Sequence, residues 1–200
     1  MIEIMGSIEN NRLPDVKTSR LLLRQRTLAD VEAIFAYASR PEVSYPAGFP
    51  PVKILEEEEH YIAHTMPKRW LLQQLPAGYG IALKSDNRII GSVDFNNRHA
   101  DDVFEMGYLL HPDYWHQGIM TEAASALLEV AFTLLKLHKV EISCYDYNMG
   151  SHRIAEKLGF TLEATIRDRK DAKGNRCADL RYGLLRSEWE AKHGYFSNQK

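Results

Sequence analysis

The chain has 200 residues, 44% of them hydrophobic and 26% charged, with a formal net charge of −2. That length favours one domain with a substantial core, and the composition is ordinary for a globular protein. The slight acidic balance argues against a nucleic-acid-binding surface as the main function, because such domains carry a clear basic excess. Cys144 and Cys177 are the only cysteines. With no signal peptide and no apolar run long enough to span a bilayer, a reducing cytoplasm with free thiols is the expected location.

Residues 1–17 show no sustained periodicity and contain Asn10, Asn11 and Pro14. They read as an extension ahead of the domain, with Ile2 to Met5 either an extra edge strand or disordered. Arg20 to Arg26 reads as the first strand. Thr27 suits a helix N-cap, Asp30 follows it, and Ile34, Phe35 and Ala38 form an apolar face, predicting a helix to about Ser39. The proline-rich segment Pro41 to Pro51, with Gly48, predicts a loop. Val52 to Leu75 is helical in pattern, interrupted at Pro67. The acidic run Glu56 to Glu59 sits near its start, where the helix dipole favours negative charge; it is either a solvated face or a rim that attracts a cationic acceptor. His60 and His64 have a spacing that suits a metal, but no third ligand stands nearby and no metal is expected.

Gly78 to Lys84, Arg88 to Asn96 and Val103 to Leu110 alternate as strands, joined by Ser85-Asp86-Asn87 and by Arg98 to Asp102. Three consecutive antiparallel strands then feed a strand–helix–strand unit, predicting an α+β sheet with helices packed on its faces. In the helix after Gly118, Met120, Ala123, Leu127, Val130, Ala131 and Leu134 recur at helical spacing. Lys139 to Tyr145 is an alternating strand, and a helix opens near Asn148 and ends at Gly159-Phe160. Leu162 to Arg167 and Cys177 to Leu184 flank Lys173-Gly174-Asn175 and predict a final hairpin.

The informative joint is the turn Trp115-His116-Gln117-Gly118-Ile119-Met120-Thr121. A helix N-terminus leaves backbone N–H groups unpaired and carries partial positive charge, so such a turn suits an anion, most naturally phosphate. Gly118 either lets the backbone approach a ligand closely or serves turn geometry alone. No Lys-Ser/Thr follows Gly118 and no G-x-G-x-x-G follows a strand, which excludes P-loop and dinucleotide-binding readings.

Taken together, TSRLLLRQRTLAD (18–30), IIGSVDFN (89–96), EMGYLLHPDYWHQGIMTEA (105–123), Asn148 to Phe160 and YGLLRSEW (182–189) resemble the GNAT acyl-CoA N-acyltransferases. The similarity is to the RimJ/RimL-like branch, which acetylates protein N-termini, including those of ribosomal proteins, and small amines. It covers residues 18–189 as one domain, leaving 190–200 as a C-terminal tail. It implies a mixed, mostly antiparallel twisted sheet with helices on both faces.

The resemblance also implies acetyl-CoA as cosubstrate, with the coenzyme's pyrophosphate on backbone amides around Gly118, flanked by His116, Gln117, Ile119, Met120 and Thr121. The family pattern there is Gln/Arg-x-x-Gly-x-Gly/Ala; this chain has Trp115 first and Met120 last. Strands at Tyr108–Leu110 and Ile142–Tyr145 are expected to splay around pantetheine, with the N–H of Leu109 or Leu110 facing the thioester oxygen. Asn148 matches the pantetheine-binding asparagine and equally suits a helix N-cap. Arg153 and Lys157 are candidates for coenzyme phosphates or ordinary surface charges.

Many GNAT members place a tyrosine acid where this chain has Ala155; RimL-like enzymes use a serine where it has Ser151. Ser151 is expected to relay a proton or hydrogen-bond the sulfur, or to cap the helix. Glu105 is the candidate base, alternatively a strand glutamate paired with an arginine. Asp168 and Asp171 are weaker carboxylate candidates, and Cys144 reads as a buried structural thiol. The acceptor is a protein N-terminal amine or a small amine such as a polyamine, amino acid or antibiotic, with homodimerisation common in the branch. The alternative is a coenzyme-A-binding sensor or interaction module without turnover.

Overall fold

The computed structural model describes residues 1–10 and 12–194. The strands are β1 (Glu3–Met5), β2 (Asp15–Lys17), β3 (Leu21–Arg24), β4 (Tyr79–Leu83), β5 (Ile89–Ala100), β6 (Val103–Leu110), β7 (Lys139–Tyr145), β8 (Thr161–Lys170) and β9 (Arg176–Leu185). The helices are α1 (Val31–Ala38), α2 (Pro41–Ser44), α3 (Leu55–His60), α4 (Met66–Gln73), α5 (Ile119–Glu129), α6 (Met149–Leu158) and α7 (Arg186–His193). The strands among these residues form one sheet in the order β1-β2-β3-β4-β5-β6-β7-β9-β8. All neighbours are antiparallel except β6 and β7, the two strands that flank α5. An antiparallel pair closes with a short turn, whereas a parallel pair needs a crossover, and α5 is that crossover. No helix among the described residues is long and apolar enough to cross a membrane.

Local chemistry explains most element boundaries. The Asp30 carboxylate accepts from the Thr27 amide at 2.9 Å and from both Nη atoms of Arg24 at 2.9 and 2.7 Å, closing a capping box under a bidentate ion pair. Burial pushes the Asp30 carboxyl up, but the bonds from Arg24 and Thr27 outweigh it and hold the group below its ordinary range. The segment expected to be loop at Pro41 to Pro51 begins with the short α2, because proline is compatible with the first turn of a helix. The helix from 55 to 73 does not break at Pro67 as its sequence suggests. Pro67 lies in the first turn of α4, and a π-turn at Tyr61–Thr65 takes up the irregularity instead. β5 runs on to Ala100, so the connection to β6 shrinks to Asp101 and Asp102.

β1 and β2 lie within residues 1–17 and extend the sheet edge beyond β3. α7 continues to His193, and residues 195–200 of the expected tail lie outside the described residues.

Two features of the sheet position the site. Ser92 pairs with Leu109 and Asp94 with Gly107, so these side chains share the face that packs on α1, while Tyr108 points to the opposite face and meets α6. α5 packs on the α6 side, burying Met120, Ala123 and Leu127 of the stripe read from sequence, and the π-turn Val130–Leu134 that continues it buries Val130 and Ala131. The second feature is a gap. β6 and β7 pair only at Val103–Lys139, Phe104–Val140 and Glu105–Glu141; beyond Glu105, β6 stays with β5 and β7 stays with β9. A bulge at Asn96 of β5 faces the Glu105–Met106 step, the point of parting, and bulges bend and overtwist the pair that contains them.

Candidate active site

The gap opens into a cavity of about 580 Å³ lined from both faces of the sheet. Glu105, Gly107, Tyr108 and Leu109 come from β6, Ile142 and Ser143 from β7, and Asn148 and Ser151 from α6. α1 and α3 close the other side with Tyr37 and Glu58, and the loop from Pro46 to Val52 lies across it. A cavity of this size that threads a parted sheet accepts an extended chain through the gap and a second molecule from the far face.

Beyond the gap stands the N-terminus of α5. Gly118 has φ 72°, a left-handed conformation that side-chain-bearing residues adopt at a cost, and Glu122 is the first amide of the helix to bond, donating to Gly118 O at 3.0 Å. A Cβ on Gly118 would meet only Arg20 Nη2, 3.7 Å away, so the backbone angle and not crowding demands glycine. The turn is braced by side chains. Trp115 Nε1 donates to Leu110 O at 2.9 Å, Gln117 Nε2 donates to Asp113 O at 2.7 Å, and Arg20 Nη1 donates to Gln117 O at 2.8 Å. Trp115 therefore ties the turn to the end of β6, which accounts for its standing where the family pattern has Gln or Arg. The side chains of Trp115 and Gln117 are engaged within the turn, and the amides of Ile119, Met120 and Thr121 precede the first intrahelical bond.

Glu122, one turn into α5, fastens this end to the rest of the sheet. It accepts from Thr18 Oγ1 at 2.5 Å, Ser19 Oγ at 2.9 Å, Arg20 N at 2.9 Å and Arg20 Nε at 2.7 Å. Partial burial pushes its carboxyl up, yet these four bonds overcome that and bring it down to about 2.

Asn148 caps α6: its Oδ1 accepts from Ser151 N at 3.2 Å, while its Nδ2 donates to Pro46 O at 3.2 Å and pins the covering loop. Ser151, 6% exposed, has its Oγ 2.7 Å from the Tyr108 hydroxyl. Ala155 is fully buried beneath them. The Cys144 thiol is buried, which pushes it up to about 11, with a hydrogen bond from Ser151 opposing; that supports the reading of a structural thiol. Glu105 lines the cavity and is also paired, its Oε2 lying 3.0 Å from His99 Nε2 and 3.5 Å from Arg181 Nη1. Both readings of this residue therefore have a structural counterpart.

The remaining candidates lie elsewhere. Asp171 accepts from the Lys173 and Asn175 amides and shapes the β8–β9 turn, and Asp168 pairs with Arg176 at 3.1 Å. Neither lines this cavity. Arg153 and Lys157 are exposed on α6. The His60 and His64 rings lie tilted with centroids 5.1 Å apart, and no group of three metal-ligating side chains occurs among the described residues.

Sequence reasoning missed several lining residues. Arg26 Nη2 donates to Asp94 Oδ1 at 2.6 Å in the interior, where burial pushes Asp94 up against the attraction of Arg26 and Arg69. The signal was an aspartate inside the apolar run IIGSVDF. Glu58, 3% exposed, lines the cavity and is pushed up by burial, with the field of Arg26 opposing. Its place inside a run of four glutamates hid it. Tyr108 looked like ordinary strand content.

A family model described as an acetyltransferase (GNAT) domain matches residues 20–161. The uncharacterized N-acetyltransferase YnaD of Bacillus subtilis is 27% identical over 175 residues, 87% of this chain and 98% of its own length. A GNAT-family acetyltransferase structure from Bacillus anthracis superposes with a TM-score of 0.75 at 26% identity, covering 87% of this chain and 99% of that one. The microcin C7 self-immunity acetyltransferase MccE, solved with acetyl-CoA and AMP, shares the fold with a TM-score of 0.73 at 21% identity, over 90% of this chain and 98% of its own. Because the family model runs from the start of β3 to the start of β8, the chain belongs to the GNAT acetyltransferase family and is an N-acetyltransferase.

Proposed function

We propose that the protein moves the acetyl group of acetyl-CoA to a primary amine by direct attack of the amine on the thioester. The observation that carries this reading is the gap that opens between β6 and β7 after Glu105 and leads to the α5 N-terminus. Pantetheine fits such a gap as an inserted strand, its two amides meeting backbone groups of residues 106–110 and 142–145 that β6 and β7 do not offer each other. The pyrophosphate then falls on the amides around Gly118, from His116 to Thr121, with Arg153 available to a phosphate. Acetyl-CoA bound to MccE, on the same fold, supports this donor.

In this reading an N–H of Leu109 or Leu110 meets the thioester oxygen as it becomes an oxyanion, and Asn148 offers pantetheine the free lone pair of its capping oxygen. Glu105 takes the ammonium proton, directly or through water, and Ser151 hydrogen-bonds the departing sulfur. The acceptor enters from the α1 and α3 side and is a protein N-terminus, such as that of a ribosomal protein, or a small amine. The working unit is residues 18–189, in the cytoplasm, as a monomer or homodimer.

Calorimetric titration with acetyl-CoA, followed by a screen of amines and N-terminal peptides for thiol release, tests the reading. Binding with release on one acceptor class is expected. Binding with no release on any acceptor would turn the protein into a coenzyme-A sensor, and no binding would overturn the site.

A further inference from the structure

The Tyr108 hydroxyl lies 2.7 Å from Ser151 Oγ, a contact that joins β6 to α6 across the gap. We infer that Tyr108 is the positioning residue of the leaving-group site: it donates to Ser151 Oγ, and so turns the Ser151 proton toward the sulfur of the donor. This inference rests on the proposed acetyl transfer and concerns how that site stabilises its leaving group.

Three observations support it. The Ser151 amide is already taken by Asn148 Oδ1, which fixes the first turn of α6 and leaves the hydroxyl as the polar group of that residue that can turn toward the gap. Burial pushes the Tyr108 phenol well above its ordinary range, with the Ser151 bond opposing, so the phenol keeps its proton and is able to donate it. Ser151 Oγ lies 2.7 Å from that phenol and either hydroxyl can donate; with Tyr108 donating, the Ser151 proton is left for the sulfur. Of the neighbouring titratable groups, Tyr182 is engaged with His152 Nδ1 at 2.7 Å. The Cys144 thiol is within range of Ser151, but a neutral thiol competes poorly with a thiolate for its proton.

The chemistry balances without moving a proton through the pair. The C–S bond of the tetrahedral adduct breaks with its electrons on sulfur, after the amine has given its proton to the base. The thiolate accepts the Ser151 O–H bond, which Tyr108 strengthens by polarising the hydroxyl. Water protonates the thiolate on release, and Tyr108 ends as it began.

The test uses coenzyme A itself and needs no acceptor. The bound thiol is titrated by the NMR shift of the methylene carbon beside sulfur, in wild type, Tyr108→Phe, Ser151→Ala and the double variant, with affinity measured by calorimetry. The thiol should ionise about one pH unit lower on the wild type than on Tyr108→Phe, the size of one hydrogen bond to a charged group. The double variant should match Ser151→Ala alone, because Tyr108 acts only through Ser151; a packing role would add. With an acceptor that supports turnover, Tyr108→Phe should lower kcat about tenfold and leave acetyl-CoA affinity within about twofold. Equal ionisation in wild type and Tyr108→Phe, or additive effects in the double variant, would overturn the inference while sparing the coenzyme site. Failure of the wild type to bind coenzyme A would overturn both.

Discussion

Replacing Gly118 by valine separates the fold from the coenzyme site. At φ 72° a residue with a Cβ pays about 1–2 kcal/mol, and the site is otherwise open, with only Arg20 Nη2 at 3.7 Å. The substitution should therefore lower the thermal midpoint by roughly 2–8 °C without unfolding the chain. In the proposed coenzyme site the same side chain would stand between the α5 N-terminus and a pyrophosphate and hold it away. Acetyl-CoA affinity should fall at least about tenfold, equivalent to about 1.4 kcal/mol, by calorimetry. Gly118→Asn is the control, because asparagine tolerates the left-handed region. It should recover most of the stability and little of the affinity. Wild-type affinity in Gly118→Val, together with the expected drop in midpoint, would show that the turn holds no phosphate.

Other outcomes follow from the same geometry. Glu122 is brought down to about 2, below its ordinary 4.5, so the stability it contributes is complete above about pH 4.5 and is lost as pH falls toward 2. Allowing for solvent screening, that is about 1–2 kcal/mol; denaturant midpoints should fall over this window in wild type and less steeply in Glu122→Gln, and parallel curves would refute it. A methyl group on Gly78 would overlap the Asp94 carboxylate, so Gly78→Ala must break the buried pair with Arg26, at a cost of about 3–5 kcal/mol in urea unfolding. A loss below 1 kcal/mol, on the order of a surface change, would mean that Asp94 relocates freely. Glu105→Gln should lower kcat/KM for the amine about a hundredfold and spare donor affinity. An unchanged rate would confine Glu105 to its pairing with His99 and Arg181.

Much of the architecture was legible because its signals are local. Alternation marked β4 to β7, a 3.6-residue apolar repeat marked α5, and a glycine at a helix start marked the Gly118 turn. Misplaced boundaries occurred where proline was read as a breaker without its position being known. Pro41 sits in a first turn, where the missing N–H has no intrahelical partner to lose, while Pro67 follows a π-turn through which the helix continues past it. Asp168 and Asp171 could not be placed from sequence because they lie near the end of β8 and in the β8–β9 turn, whose shape depends on the pairing of the two strands.

The sequence by itself determined the sheet-and-helix pattern and the α5 N-terminus, and offered a helix cap as one of two roles for Asn148, because each depends on residues within one or two turns of one another. Only the tertiary structure decided that β6 and β7 part after Glu105, that Tyr108 meets Ser151, and that Glu58, Arg26 and Asp94 look into one cavity. Those facts depend on pairing and packing between segments 32 to 68 positions apart, as between Glu58 and Arg26 or Arg26 and Asp94. No periodicity along the chain records which of two polar groups will share an interior, since that is set by where the sheet bends and which face each strand turns inward.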